Sequence, residues 1–147
     1  NVYGPRQDLH KAYAGVIPSL LQRVAAGEAP VINGDGTQAY DFVHVGDVAR
    51  ANRLAMEADV ADEFLNVGTG SQTPICELAE MLLEELGTNL QPIYRPYNEA
   101  DSRQLVQHRI GCTSKAGELI QFHSAIPLRK GLKSVIEWSK RAEVTSA

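Results

Sequence analysis

Tyr40-Asp41-Phe42-Val43-His44-Val45-Gly46-Asp47-Val48-Ala49-Arg50-Ala51-Asn52 changes its periodicity half-way along. From Tyr40 to Val45 the residues alternate, with Tyr40, Phe42 and His44 on one face and Asp41, Val43 and Val45 on the other, which predicts a strand with one mostly apolar side. Beyond it the spacing is helical. Val48, Ala51 and Ala55 share one side, and Asp47 stands where an N-cap carboxylate would accept from the unpaired N–H groups of the first turn. A strand leading into a helix over residues 47–57 is the expected centre of the fold.

Upstream, Pro30-Val31-Ile32 predicts a short strand, and Asn33-Gly34-Asp35-Gly36 supplies residues that tolerate positive φ, so the chain can reverse before Tyr40. Ile17, Leu20, Leu21, Val24 and Ala25 are spaced as one face of a helix over residues 14–26, which Gly27 ends. Residues 1–3 finish a strand stopped by Gly4-Pro5. Downstream, Phe64-Leu65-Asn66-Val67 predicts a strand with Gly68-Thr69-Gly70 as its turn. Thr73 and Pro74 give a hydroxyl cap and a first-turn proline ahead of Ile75, Leu78, Ala79, Leu82, Leu83 and Leu86, with Gly87 just past the end. Glu77, Glu80, Glu84 and Glu85 would form the solvated side of that helix. A short strand over 91–94, a polar loop over 95–104 and helices over 114–120 and 128–141 complete the chain. Leu132, Val135 and Ile136 face inward on the last helix, Trp138 is expected to anchor it, and the final six residues are expected to fray.

This alternation predicts α/β, although the strands are too few and too short for a complete doubly wound sheet. The 147 residues suit a single compact unit, and 44% hydrophobic with 22% charged residues is ordinary for a globular protein. A chain of this length buries about 70% of its unfolded surface, enough for a core without metal or disulfide. Fourteen Lys and Arg against eighteen Asp and Glu, a net charge of -4, leave no basic run for a nucleic-acid partner. Cys76 and Cys112 lack CxxC spacing and read as reduced structural thiols. No apolar run approaches the roughly 20 residues of a membrane span, and no leader is visible, so a soluble cytoplasmic protein is expected. The opening at Asn1, without an initiator Met, suggests a fragment.

Several chemistries fail on inspection. HExxH, GxSxG and P-loop patterns do not occur, and His10, His44, His108 and His123 stand singly without metal-ligand spacing. Gly34-Asp35-Gly36-Thr37-Gln38-Ala39 matches G-x-G-x-x-G/A, but it precedes a strand instead of opening a helix, so it offers no helix N-terminus to a pyrophosphate. His44 reads as a hydrogen-bonded packing residue, and Arg6 as a residue that holds its loop.

Taken in order, NVYGPRQ at 1–7, YAGVIP at 13–18, INGDGTQ at 32–38, DFVHVGDVARAN at 41–52, FLNVGTG at 64–70 and GLKSVIEW at 131–138 resemble the C-terminal half of the extended short-chain dehydrogenase/reductase family. These are the NAD-dependent epimerases and dehydratases of nucleotide sugars. The resemblance covers nearly the whole chain. It implies a small mixed α/β substrate-binding subdomain, with the Rossmann NAD-binding part absent. In the intact parent it implies NAD as cofactor and transient oxidation of a sugar hydroxyl to a ketone. The family's Tyr-x-x-x-Lys pair is missing, since Tyr3, Tyr13, Tyr40, Tyr94 and Tyr97 are followed four residues later by Gln7, Ile17, His44, Asn98 and Asp101. That pair lowers a tyrosine pKa so that it serves as a base, and the isolated chain is therefore expected to be inactive.

Its implied ligand is a nucleotide-diphosphate sugar. The resemblance assigns substrate contact to Asn1, and it places the helix with Ile17 and the strand with Val31 and Asn33 around the nucleotide. Relatives usually carry Arg immediately before the DF pair, to grip the diphosphate; here Tyr40 stands there and cannot supply the charge. Arg103 or Arg109 would replace it. Relatives also carry Asp at the position of Cys112, leaving Thr113 or Ser114 to cap the next helix. Faces meant for the missing Rossmann portion would be apolar and exposed, so self-association is expected. The alternative is a non-catalytic ligand-binding or interaction module that has kept the fold, which the absent Tyr-x-x-x-Lys and Tyr40 favour.

Overall fold

The computed structural model describes residues 1–7, 15–97 and 106–145, with side chains to Arg141 in the last helix. Twelve elements follow one another among these residues: β1 (Val2–Tyr3), α1 (Val16–Ala25), β2 (Val31–Asn33), β3 (Ala39–Tyr40), β4 (Val43–His44), α2 (Val45–Glu57), β5 (Thr73–Pro74), α3 (Ile75–Leu86), β6 (Ile93–Arg95), β7 (His108–Arg109), α4 (Ser114–Ile120) and α5 (Leu128–Thr145). The strands form three small sheets. β1 lies parallel to β4, β2 parallel to β6, and β3 sits between antiparallel β5 and parallel β7. β2 and β3 flank the glycine turn as expected, yet each pairs elsewhere and they form no hairpin.

The helices supply most of the core. Ile17, Leu20 and Leu21 of α1, Leu78, Ala79 and Leu82 of α3, and Leu132, Val135 and Ile136 of α5 pack around Tyr3, Ile32 and Phe42. These are the periodic positions of their sequences, so apolar spacing has set which faces meet. A second cluster joins Ala51 of α2 to Ala116 and Ile120 of α4 and to Phe122.

Several expectations are corrected. The predicted strand over 40–45 is two short strands, and Val45 already belongs to α2. The N-cap of α2 is His44, whose Nδ1 accepts from the Gly46 N–H at 3.1 Å. Asp47 is inside the helix and 1% exposed, because its carboxylate is taken by another loop: Ala125 and Ile126 N–H donate to it at 3.1 and 3.0 Å, and Arg50 Nη2 at 3.1 Å. Phe64–Val67 forms no strand. Leu65 and Val67 do turn inward and Phe64 outward, but Asn66 Nδ2 donates to the Cys112 carbonyl at 3.2 Å in place of a ladder.

Thr73 does not cap α3. It pairs with Tyr40 in β5, and the first helical N–H groups are satisfied by main chain, Ile75 N–H to Gln38 O and Cys76 N–H to Gly36 O at 3.0 and 3.1 Å. Gly87, at φ 65°, ends α3 as expected. Glu85 is not on a solvated face: it bridges α3 to α5 through Arg129 and Lys133, with its side chain 12% exposed. Backbone helix continues to Thr145. Trp138 is half-buried, and Cys112 is exposed, unlike a core thiol.

Thr113 occupies the N-cap position of α4 without a side-chain cap bond. His44 is the packing residue expected. Its Nε2 faces Ser134 Oγ at 3.2 Å, Ser134 donates to Gly131 O at 2.7 Å, and Tyr3 stands edge-on to the imidazole at 5.4 Å. With Nδ1 accepting from Gly46, the proton belongs on Nε2, which donates to Ser134. Burial pushes the His44 pKa down, against the pull of the Asp47 charge.

Two predictions follow from these buried groups. Asp47→Ala leaves two loop N–H groups and Arg50 without their acceptor, and should cost about 3 kcal/mol in urea denaturation. Because the folded state disfavours protonated His44, its contribution should be complete above the unfolded value near pH 6.5 and fall as the pH drops below it. Unfolding midpoints at pH 7.5 and 5.5 should therefore differ more in the native chain than in His44→Asn.

Candidate functional site

β1 and the start of α1 enclose a small cavity of about 50 Å³ with Asn1, Gln7, Gly15, Ile17 and Phe42 among its walls. The position follows from local structure. β1 ends at Gly4, whose φ of 154° suits glycine and whose missing side chain leaves room for Val45. Gly15, extended, begins α1 beside the Gln7 amide. Asn1 is exposed, and its carbonyl accepts from Val43 N–H at 3.2 Å, so the β1–β4 pairing holds it at the cavity mouth. Ile17 is 2% exposed, a core side chain that also forms a wall.

Phe42 links this cavity to the β3–β7 pair. Its ring meets Tyr40 edge-on at 6.2 Å, and Tyr40 lies in register with Arg109, whose carbonyl accepts from Asp41 N–H at 2.9 Å. Tyr40 and Arg109, far apart in sequence, are thus neighbours, with Arg109 exposed. Val31 and Asn33 sit in β2, opposite Ile93 and Arg95 of β6. Asn33 is exposed, and its carbonyl accepts from Gln38 Nε2 at 3.0 Å. Next to it an open recess is lined by Gly34, Asp35, Tyr94, Arg95 and Pro96. A side chain on Gly34 would enter the Tyr97 ring, whose phenol is pushed up by burial and by nearby Tyr40 and Asp35. Arg103 lies outside the described residues.

The sequence reading missed a third hollow, a cleft of about 280 Å³ between residues 69–73 and 124–128, floored by Phe42 and edged by Thr69, Ser71, Thr73 and Ser124. Its walls are held by two aspartates. Asp41 accepts from Thr69 N–H and Oγ1 at 2.9 and 2.6 Å and from Gly70 N–H at 3.0 Å, while Asp47 holds 125–126. The run of hydroxyls in Thr69-Gly70-Ser71-Gln72-Thr73 was the available signal. Gln7 was also passed over, although it closes the NVYGPRQ run.

Residues 1–68 match the NAD dependent epimerase/dehydratase family. The chain is 38% identical over 140 residues to a putative UDP-glucose 4-epimerase of Methanocaldococcus jannaschii, covering 95% of this chain and 43% of that protein. Its fold matches the UDP-glucose 4-epimerase of Thermotoga maritima solved with UDP-glucose, with a TM-score of 0.87, 38% identity, and 97% of this chain against 44% of that one. It also matches the UDP-glucuronic acid 4-epimerase of Bacillus cereus in complex with NAD, at a TM-score of 0.80 and 25% identity, over 97% of this chain and 43% of that one. The chain thus spans under half the length of the relatives it matches.

Gly68 tests the wall of the cleft. A Cβ there would lie 2.5 Å from Asp41 Oδ2. Gly68→Ala should displace the carboxylate from Thr69 and Gly70 and lower stability by about 2 kcal/mol, read as a drop in the urea midpoint.

Proposed function

From its kinship with the NAD-dependent epimerase/dehydratase family, we propose that this chain is the C-terminal, substrate-binding portion of such an enzyme and takes a nucleotide-diphosphate sugar. The observation that carries the reading is the convergence on Phe42. The ring lines the cavity with Asn1 and Ile17 and packs T-shaped against Tyr40, which is in register with Arg109. A polar strand end, an aromatic wall and a cation are what a sugar joined to a diphosphate requires.

The described residues do not fit NAD itself. The only glycine pattern of that kind, at 34–39, is a turn between β2 and β3, with Gly34 against Tyr97 and Gly36 against Cys76. No helix N-terminus opens there for a pyrophosphate. We therefore assign this chain no part of the redox step. Its contribution is to bind the distant end of the ligand and fix the pose of the sugar, so that binding energy is spent on orientation. With no Tyr-x-x-x-Lys, it is inactive alone. The alternative is a non-catalytic ligand-binding or interaction module that retains the fold.

Arg109 supplies the positive charge that Tyr40 lacks. Calorimetry with UDP-, dTDP-, GDP- and CDP-sugars should give heat with at least one, and Arg109→Ala should weaken that binding about 10-fold. No heat with any of them would remove the support for a nucleotide-sugar site.

A further inference from the structure

Gly4-Pro5-Arg6-Gln7 is a tight turn in which Gln7 N–H donates to Gly4 O at 3.3 Å and Arg6 takes φ 70°. Proline second and positive φ third is the type II pattern, whose third place normally falls to glycine. Arginine there is held in a left-handed conformation that L-residues disfavour, and such local strain persists only where the surroundings impose it. The turn carries Gln7 back to the cavity between β1 and α1. There the Gln7 Oε1 is shielded from solvent and has no hydrogen-bond partner among the described residues, while Nε2 lies beside Gly15. A buried acceptor left unpaired is costly and calls for an explanation.

We propose that Gln7 is a specificity-determining residue, its carboxamide oxygen accepting a hydrogen bond from a hydroxyl of the bound ligand. The inference rests on the nucleotide-sugar reading above and names one contact within it. The hollow, about 50 Å³, has room for a hydroxyl-sized group. Val2, Val16, Ile17, Pro18 and Phe42 give the hollow an apolar lining, to which Gln7 and Asn1 bring carboxamides, and the Gln7 Oε1 is the buried oxygen left unpaired. An apolar residue of similar length would remove the unpaired oxygen.

The test pairs Gln7→Met with Gln7→Leu and measures both ligand affinity and melting temperature, titrating UDP-glucose and UDP separately. The expected result is about 10-fold weaker binding in both variants, with melting of the free chain unchanged or raised. A loss confined to UDP-glucose assigns the hydroxyl to the hexose, and one shared with UDP assigns it to the ribose. Unchanged affinity would overturn the proposal, as would affinity and melting temperature falling together in both variants, the mark of a merely structural glutamine. If the native chain binds neither UDP-glucose nor UDP while binding another nucleotide sugar, the same comparison is made with that ligand. Silence with every nucleotide sugar would instead defeat the underlying reading.

Discussion

Two buried carboxylates six residues apart hold this fold in shape. Asp41 and Asp47 each accept main-chain N–H groups from a remote loop, 69–70 in one case and 125–126 in the other. A carboxylate taken from water must have its oxygens satisfied, and loop amides facing the interior must find acceptors. Each requirement answers the other. Burial alone would raise the Asp47 carboxyl, but the bonds from Ile126, Ala125 and Arg50 outweigh it and hold the group below the usual carboxylate range. Arg50 extends the arrangement, lying 5.1 Å over the Phe122 ring and donating to the His123 carbonyl, which ties the second hydrophobic cluster to the same point.

Phe42 is the functional counterpart of those anchors. Because the loops on either side are fixed, its ring serves as a wall for both the small cavity near Asn1 and the hydroxyl-edged cleft near Thr69. Of the residues implied by the family resemblance, Asn1 and Ile17 line a hollow with Phe42, Tyr40 packs against its ring and is in register with Arg109, and Val31 and Asn33 belong to the β2–β6 pair. None of these sheets has more than three strands, so the helices carry the stability while the strands set position.

What sequence conveyed and what it did not divide along a physical line. Apolar spacing revealed α1, α3 and α5 because a helix needs only its own periodicity to be seen. Strands of two or three residues are defined by their partners, and nothing local tells Phe64–Val67, which pairs with no strand among the described residues, from Thr73–Pro74, which pairs with β3. Asp47 has the local marks of a cap, yet a loop 78 residues away claims it. The pairing of Tyr40 with Arg109 is likewise invisible without the β3–β7 register, although each residue had been singled out. Glu85 looked solvated because its partners, Arg129 and Lys133, lie on another helix.

The pinned points at 69–70 and 125–126 also determine where the polypeptide tolerates growth. Between Glu57 and Gly68 the backbone is exposed for most of its course, with Phe64 95% exposed, and residues 59–63 are held chiefly by Lys115 on Glu63. Closing a longer loop adds only about 0.6 kcal/mol per doubling of its length. Extra residues inserted there would leave Thr69 and Gly70 free to reach Asp41, whereas one residue added between Gly68 and Gly70 would shift both amides out of reach. Length variation in this protein is thus admitted on one side of the anchor and barred on the other.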